Sequence, residues 1–276
     1  MEVIFDKPQV MSIVNVTPDS FYSGCRSLDS TEVEQRIREV VSQGCDIIDI
    51  GGYSSRPGAD EVSIEEELRR VAMGVNAARR LAPQIPVSID TFRAEVVRSI
   101  VQEFGDVIVN DISAGELSHN MIETVAELQL PYVAMHMRGT PTTMQSKTEY
   151  TDITSEVVNY LSERAKVLTS AGVQNIVLDP GFGFAKSLQQ NYELLHGLTQ
   201  LSTLGYPVLV GISRKSMIYK ALNTTQEDAL IGTVALHWEC LRAGAKILRV
   251  HDTREAVQTI KLFEIYEANR QSKQNM

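Results

Sequence analysis

The sequence predicts an α/β fold, a parallel eight-stranded barrel of the (β/α)8 or TIM type, and two observations carry that expectation. Short β-branched runs recur along the whole 276 residues, each followed by a polar, glycine-containing turn and then by apolar residues at helical spacing. Eight such runs stand out: Met11–Val16, Ile47–Ile50, Val87–Asp90, Val107–Asp111, Tyr132–His136, Ile176–Asp179, Val208–Ile212 and Ile247–Val250. Eight is the number that closes this barrel, and roughly 250 residues in one domain is its ordinary size. No linker or low-complexity tract divides the chain, so residues 1–276 read as one domain with 271–276 as a frayed tail. A doubly wound open sheet would alternate in the same way, but its Gly-x-Gly-x-x-Gly turn is missing after the first strand.

The intervening helices follow from period. Val33, Ile37, Val40 and Val41 form one apolar stripe, and Ile64, Leu68, Val71 and Val75 another. Thr31 with Glu34 and Ser63 with Glu66 fit capping boxes, and Gly44 and Gly172 suit helix ends. Asp252, three residues before Glu255, reads as the N-cap of the last helix.

Composition narrows the function classes. Lys+Arg 26 against Asp+Glu 35 gives a net charge of −9, and no basic run supplies the surface that nucleic acid needs. No stretch reaches the roughly 18 apolar residues of a membrane span, and Met1–Pro8 lacks the basic and apolar pattern of a leader. Three scattered cysteines, Cys25, Cys45 and Cys240, contain no Cys-x-x-Cys pair and read as reduced, core-filling thiols. A cytoplasmic enzyme acting on small molecules is the expectation.

Barrel enzymes gather their chemistry at the carboxyl ends of the strands. Polar residues end strand after strand here: Asn15, Asp49, Asp90, Asn110-Asp111, His136, Asp179, Ser213-Arg214-Lys215 and Arg249-Val250-His251. Some have plainer readings. Asp49 and Asp111 could equally tie down neighbouring loops, and His136, between two methionines, fits a structural imidazole. No two histidines stand at i, i+4, which argues against zinc. Asn15, Ser55, Arg56, Asp90, Asn110, Asp179, Lys215, Arg249 and His251 remain. Arg249 and His251, two apart on a strand, face one way and predict an anion site. Asn15, with the Thr17 and Ser55 hydroxyls, offers neutral oxygens that could complete an octahedral Mg²⁺ with phosphate and water. Asp90, Asn110 and Asp179 suit a flat heterocycle with several N–H donors, and Lys215 can donate to its ring atoms.

These stretches resemble the dihydropteroate synthases over nearly the whole chain. The segments that carry the resemblance are 11–21 (MSIVNVTPDSF), 44–58 (GCDIIDIGGYSSRPG), 88–91 (SIDT), 110–112 (NDI), 135–141 (MHMRGTP), 179–184 (DPGFGF), 213–215 (SRK) and 249–251 (RVH). The resemblance implies that Asp90, Asn110, Asp179 and Lys215 hold a pterin, with Met135, Gly211 and Phe184 lining the slot. It implies that Asn15, Ser55, Arg249 and His251 hold Mg²⁺-pyrophosphate, and that Arg56, Pro57, Phe21 and Ser216 approach 4-aminobenzoate. The implied chemistry is loss of pyrophosphate from a pterin methylene followed by attack of the arylamine, with Lys215, Arg249, His251 and Asp90 as the catalytic set. A homodimer and a sulfonamide target are implied as well. Two positions depart from the usual family pattern: Tyr53 replaces a glutamate, and the first loop reads Phe21-Tyr-Ser-Gly-Cys25. A pterin-binding methyltransferase domain and a non-catalytic pterin-binding module are the rival readings.

Overall fold

The computed structural model describes residues 5–17, 30–54 and 61–274, the last four as backbone only. Eight parallel strands form one sheet: β1 (Gln9–Asn15), β2 (Ile47–Gly51), β3 (Val87–Asp90), β4 (Ile108–Asp111), β5 (Tyr132–Met135), β6 (Ile176–Asp179), β7 (Leu209–Val210) and β8 (Ile247–Val250). Their order is β6-β5-β4-β3-β2-β1-β8-β7, and a single parallel bridge between Leu178 and Val208 joins β6 to β7 and closes the barrel. The seventh strand is shorter than the β-branched run suggests, because the backbone turns after Ile212, where the Lys215 N–H bonds the Ile212 carbonyl, and Arg214 takes φ +54°.

Helices α1 (Ser30–Ser42), α2 (Ile64–Leu81), α3 (Ala94–Phe104), α4 (Met121–Glu127), α5 (Ile153–Ser170), α6 (Leu188–His196), α7 (Leu198–Ser202), α8 (Ser216–Tyr219), α9 (Leu230–Arg242) and α10 (Thr253–Gln274) intervene between strands or follow the last one. The two predicted stripes bury as their period requires: Val33, Ile37, Val40, Val71 and Val75 are inaccessible to solvent, and only Ile64, at the start of α2, stays exposed. Ser63 caps α2 by accepting from the Glu66 N–H at 3.2 Å, but the Glu66 carboxylate turns to Arg69 and Arg70 instead of completing the box. Thr31 lies inside α1, which starts two residues earlier than its capping box would allow. Gly44 and Gly172 close their helices at φ +90° and +97°, in the left-handed region open to glycine.

Strand alternation sets the interior in layers. Met11, Ile47, Ile108, Val133, Val177, Leu209 and Ile247 fill the bottom of the barrel as one buried apolar cluster. Two residues further along β2, β4, β6 and β8 the inward positions are polar: Asp49, Asn110, Asp179 and Arg249. The apolar plug thus supports a polar cup at the carboxyl ends.

Candidate active site

Register brings the polar tips together. Asn15 pairs with Gly51, Gly51 with Asp90, Asp90 with Asn110, and Met135 with Asp179 around the rim. A methyl group built on Gly51 would lie 3.4 Å from Asn15 Oδ1 and 3.8 Å from Asp90 Oδ2, so both oxygens border the space that this glycine leaves open. Gly211 plays the same part opposite, where an added methyl would come within 3.8 Å of Lys215 Nζ and 3.9 Å of Arg249 Cβ. Lys215, at the start of α8, donates to the Phe182 carbonyl and holds its ammonium 4.8 Å from the centre of the Phe184 ring. Asn110, Asp179 and Met135 are almost wholly buried, and Ser216 beside Lys215 is half-buried.

Arg249 is the electrostatic centre of this cup. Its Nε and Nη2 reach Asp49 Oδ2 at 2.7 and 2.6 Å, and Nη2 also reaches Asp90 Oδ2 at 2.6 Å. Burial would lower the basicity of Arg249, but the two carboxylates outweigh it and hold the guanidinium charged. Burial pushes Asp90 well above the ordinary carboxylate range, against the pull of Arg249 and with Asp49 adding to the rise. Burial likewise raises Asp179, opposed by Lys215, and lowers Lys215 to about 8, opposed by Asp179. Perturbed acids and a perturbed base crowded into one depression mark a functional site. His251 is fixed by its neighbours: Ser213 Oγ accepts from its backbone N–H at 3.1 Å and lies 3.3 Å from Nδ1, while Arg36 of α1 donates to its carbonyl.

A model of the family described as "Pterin binding enzyme" matches residues 11–251, from within the first strand to just past the tip of the last. The chain belongs to the pterin binding enzymes. It is 42% identical over 261 residues to the dihydropteroate synthase of Escherichia coli, covering 93% of this chain and 91% of that protein. A Yersinia pestis dihydropteroate synthase solved with a sulfonamide drug complex superposes with a TM-score of 0.90 at 37% identity, covering 97% of each chain. A Xanthomonas albilineans dihydropteroate synthase solved with 7,8-dihydropteroate gives 0.84 at 36% identity, over 96% of each.

As a pterin binding enzyme, the chain presents most of its sequence-derived site residues in one place. Asp90, Asn110, Asp179, Lys215, Met135, Gly211, Phe184 and Arg249 surround the cup, with Asn15, His251 and Ser216 at its rim. Phe21, Ser55, Arg56 and Pro57 lie outside the described residues. The two ambiguous aspartates separate cleanly. Asp111 points outward and ties its loop, accepting from the Ser113 and Gly115 N–H groups at 2.7 and 2.8 Å and from the Tyr132 hydroxyl at 2.6 Å. Asp49 points inward, is fully buried and grips Arg249, with the Asn110 amide 3.4 Å away. Alternation from Ile47 was the signal that could have placed it. Asp252 stands just before α10, but its side chain receives a bidentate bond from Arg214 at 2.8 Å, which displaces the predicted capping role.

Tyr53 packs edge-on against Phe92 at 5.3 Å, and Arg93 lies 5.4 Å from both rings. Arg93 pairs at 2.8 Å with buried Glu67, which also accepts from Thr91. Aromatic and cation–π contacts thus hold the Tyr53 ring.

Proposed function

We infer that this chain condenses 6-hydroxymethyl-7,8-dihydropterin pyrophosphate with 4-aminobenzoate, giving 7,8-dihydropteroate and pyrophosphate in folate biosynthesis. The carrying observation is the convergence of Asp90, Asn110, Asp179, Lys215 and Arg249 from five strand ends on one cup, in a chain about 40% identical to dihydropteroate synthases over nearly its whole length.

In this reading the pterin lies across the cup. Asp179 accepts from its paired N–H edge, Asn110 and Asp90 take further ring positions, and Lys215 donates to a ring acceptor. Met135, Gly211 and Phe184 form the walls of the slot. Arg249 and His251 bind the diphosphate and stabilise it as it departs, while Asp90 and Asp179 offset positive charge developing on the pterin. No side-chain nucleophile is required, because the arylamine attacks the exposed methylene. Ser216, Phe21, Arg56 and Pro57 are assigned to the aminobenzoate, and a sulfonamide would compete for that same space.

The residues present fit a Mg²⁺ ion bound largely through the substrate. Among the described residues no three His, Cys, Asp or Glu side chains are grouped to cage a metal. Asn15 Oδ1 would lie 3.4 Å from a methyl group on Gly51 and so borders the gap that this glycine leaves, a neutral donor suited to sharing a cation with diphosphate oxygens and water. Ser55 is the second proposed neighbour of this complex. Bound there, Mg²⁺ would supply positive charge to the leaving group.

We further propose a homodimer in the cytoplasm. Helices α9 and α10 pack together and carry Ile231, 82% exposed, and Leu262, 62% exposed, with Ile265 and Tyr266 also facing solvent. That much apolar surface supports a partner face. No described helix is long and apolar enough to cross a membrane.

The direct test is turnover. Purified protein given Mg²⁺, the pterin pyrophosphate and 4-aminobenzoate is expected to release pyrophosphate and form dihydropteroate. Tight pterin binding without turnover would select a binding module instead.

A further inference from the structure

Lys186 is a buried lysine for which neither the pterin, diphosphate nor aminobenzoate subsite has a use. It is 5% exposed, next to the Ser187 that caps α6, and no carboxylate among the described residues lies within hydrogen-bonding distance of Nζ. Burial lowers the basicity of Lys186 well below the ordinary lysine range, against the pull of Asp179, and a buried amine is costly unless it is hydrogen-bonded. Three partners surround it: Nζ lies 2.8 Å from the Gly181 carbonyl, 2.9 Å from the Phe184 carbonyl and 3.0 Å from His136 Nδ1.

The three acceptors link two strand ends. Gly181 and Phe184 belong to the loop leaving β6, and His136 directly follows β5. Gly181 is pressed so closely against this neighbour that a methyl group on it would sit 2.0 Å from the His136 carbonyl oxygen. The same Gly181 donates its N–H to Asp179 Oδ1 at 2.7 Å, so Lys186 anchors, through the carbonyl, the residue whose N–H orients one oxygen of Asp179. Between the two carbonyls that Lys186 holds lies that of Phe182, the acceptor for Lys215. Asn191 completes the clamp from α6 by accepting from the Gly183 N–H at 2.7 Å.

We propose that Lys186 is a positioning residue for the pterin subsite, acting through the 180–185 loop on Asp179, Phe184 and Lys215 without touching substrate. His136 Nδ1 is its fixed partner. Burial, with Lys186 and Arg138 adding, drives the ring's pKa down to about 2, so the imidazole is neutral near physiological pH. Tyr160, edge-on at 5.0 Å, covers another side of the ring.

This inference rests on the pterin reading, and Lys186→Met separates the two because it keeps the stem while deleting the amine and its three hydrogen bonds. Calorimetry with the pterin pyrophosphate and steady-state KM values for both substrates are the readouts, with a thermal melt to verify folding. The expected result is pterin affinity weakened at least about tenfold, with KM for 4-aminobenzoate within about twofold of wild type. A merely structural lysine would lower the melting temperature and leave the affinity of the folded protein unchanged, and that outcome, or equal changes for both substrates, overturns the proposal. Should Lys186→Met fail to fold, His136→Leu leaves the ammonium one acceptor short and is expected to weaken pterin binding about threefold. Unchanged affinity there also overturns it. A wild-type chain with no pterin affinity would sink the functional reading and this inference together, whereas affinity retained by Lys186→Met sinks the inference alone.

Discussion

Lys215 loses part of its basicity to burial, so it titrates near pH 8, while an unfolded lysine holds its proton to roughly 10.4. The ammonium is the form that donates to a ring acceptor. Pterin kcat/KM is therefore expected to fall as pH rises through about 8, and Lys215→Met should abolish that limb along with most binding. Stability runs the other way in the same window. Between about pH 8 and 10.4 the unfolded chain binds more protons at this site, so its contribution to folding rises with pH. A pterin affinity flat up to pH 9.5 would contradict the assignment. Asp179 has a simpler test, since Asp179→Asn removes a charge-assisted acceptor and should weaken pterin binding by at least ~1.5 kcal/mol in calorimetry. Residues such as these were legible in the sequence because each ends a β-branched run. Lys186 was not, because a lysine between Ala185 and the Ser187 that caps α6 looks like any solvated residue before a helix. Only the fold shows three acceptors gathered around it.

At the scale of elements, the site is as firm as the contacts between adjacent strand tips. Gly181 adopts φ +69° and nearly touches the β5 end, so Gly181→Ala combines backbone strain with a clash. A loss of at least about 1–3 kcal/mol in denaturant unfolding is expected, together with weaker pterin binding. Asp49 and Asp252 make an instructive pair, because each holds an arginine at the carboxyl end of the barrel. Asp49 is wholly buried, and Asp49→Ala leaves Arg249, 19% exposed, with Asp90 as its remaining carboxylate, a cost of about 3 kcal/mol. Asp252 and Arg214 retain 17% and 21% side-chain exposure, so Asp252→Ala should cost clearly less, roughly 1 kcal/mol. Equal losses would show that burial does not set the difference. Strand and helix identity was readable from period alone, whereas the cap at Thr31, the role of Asp252 and the length of β7 were not. The role of Asp252 depends on Arg214, a partner distant in sequence, and the length of β7 on the turn at Lys215.

For the whole molecule, an apolar layer beneath a charged one explains both stability and chemistry. The lower layer, from Met11 to Ile247, closes the barrel, and the charged residues can crowd together because the strands above that plug leave them little freedom to separate. The outer surface carries a prediction of its own. Ile231→Glu with Leu262→Glu is expected to convert a dimer to a monomer in sedimentation, and a wild-type chain that is monomeric at micromolar concentration would contradict the proposed face. The central claim is that strand tips from around the barrel grip one flat heterocycle, and a crystal structure with bound 7,8-dihydropteroate tests it most directly. The account predicts the pterin's amide edge on the Asp179 carboxylate, with Asn110 and Lys215 within hydrogen-bonding distance and the linking methylene directed toward Arg249. A pterin bound elsewhere, or turned so that Asp179 faces no N–H group, would contradict it.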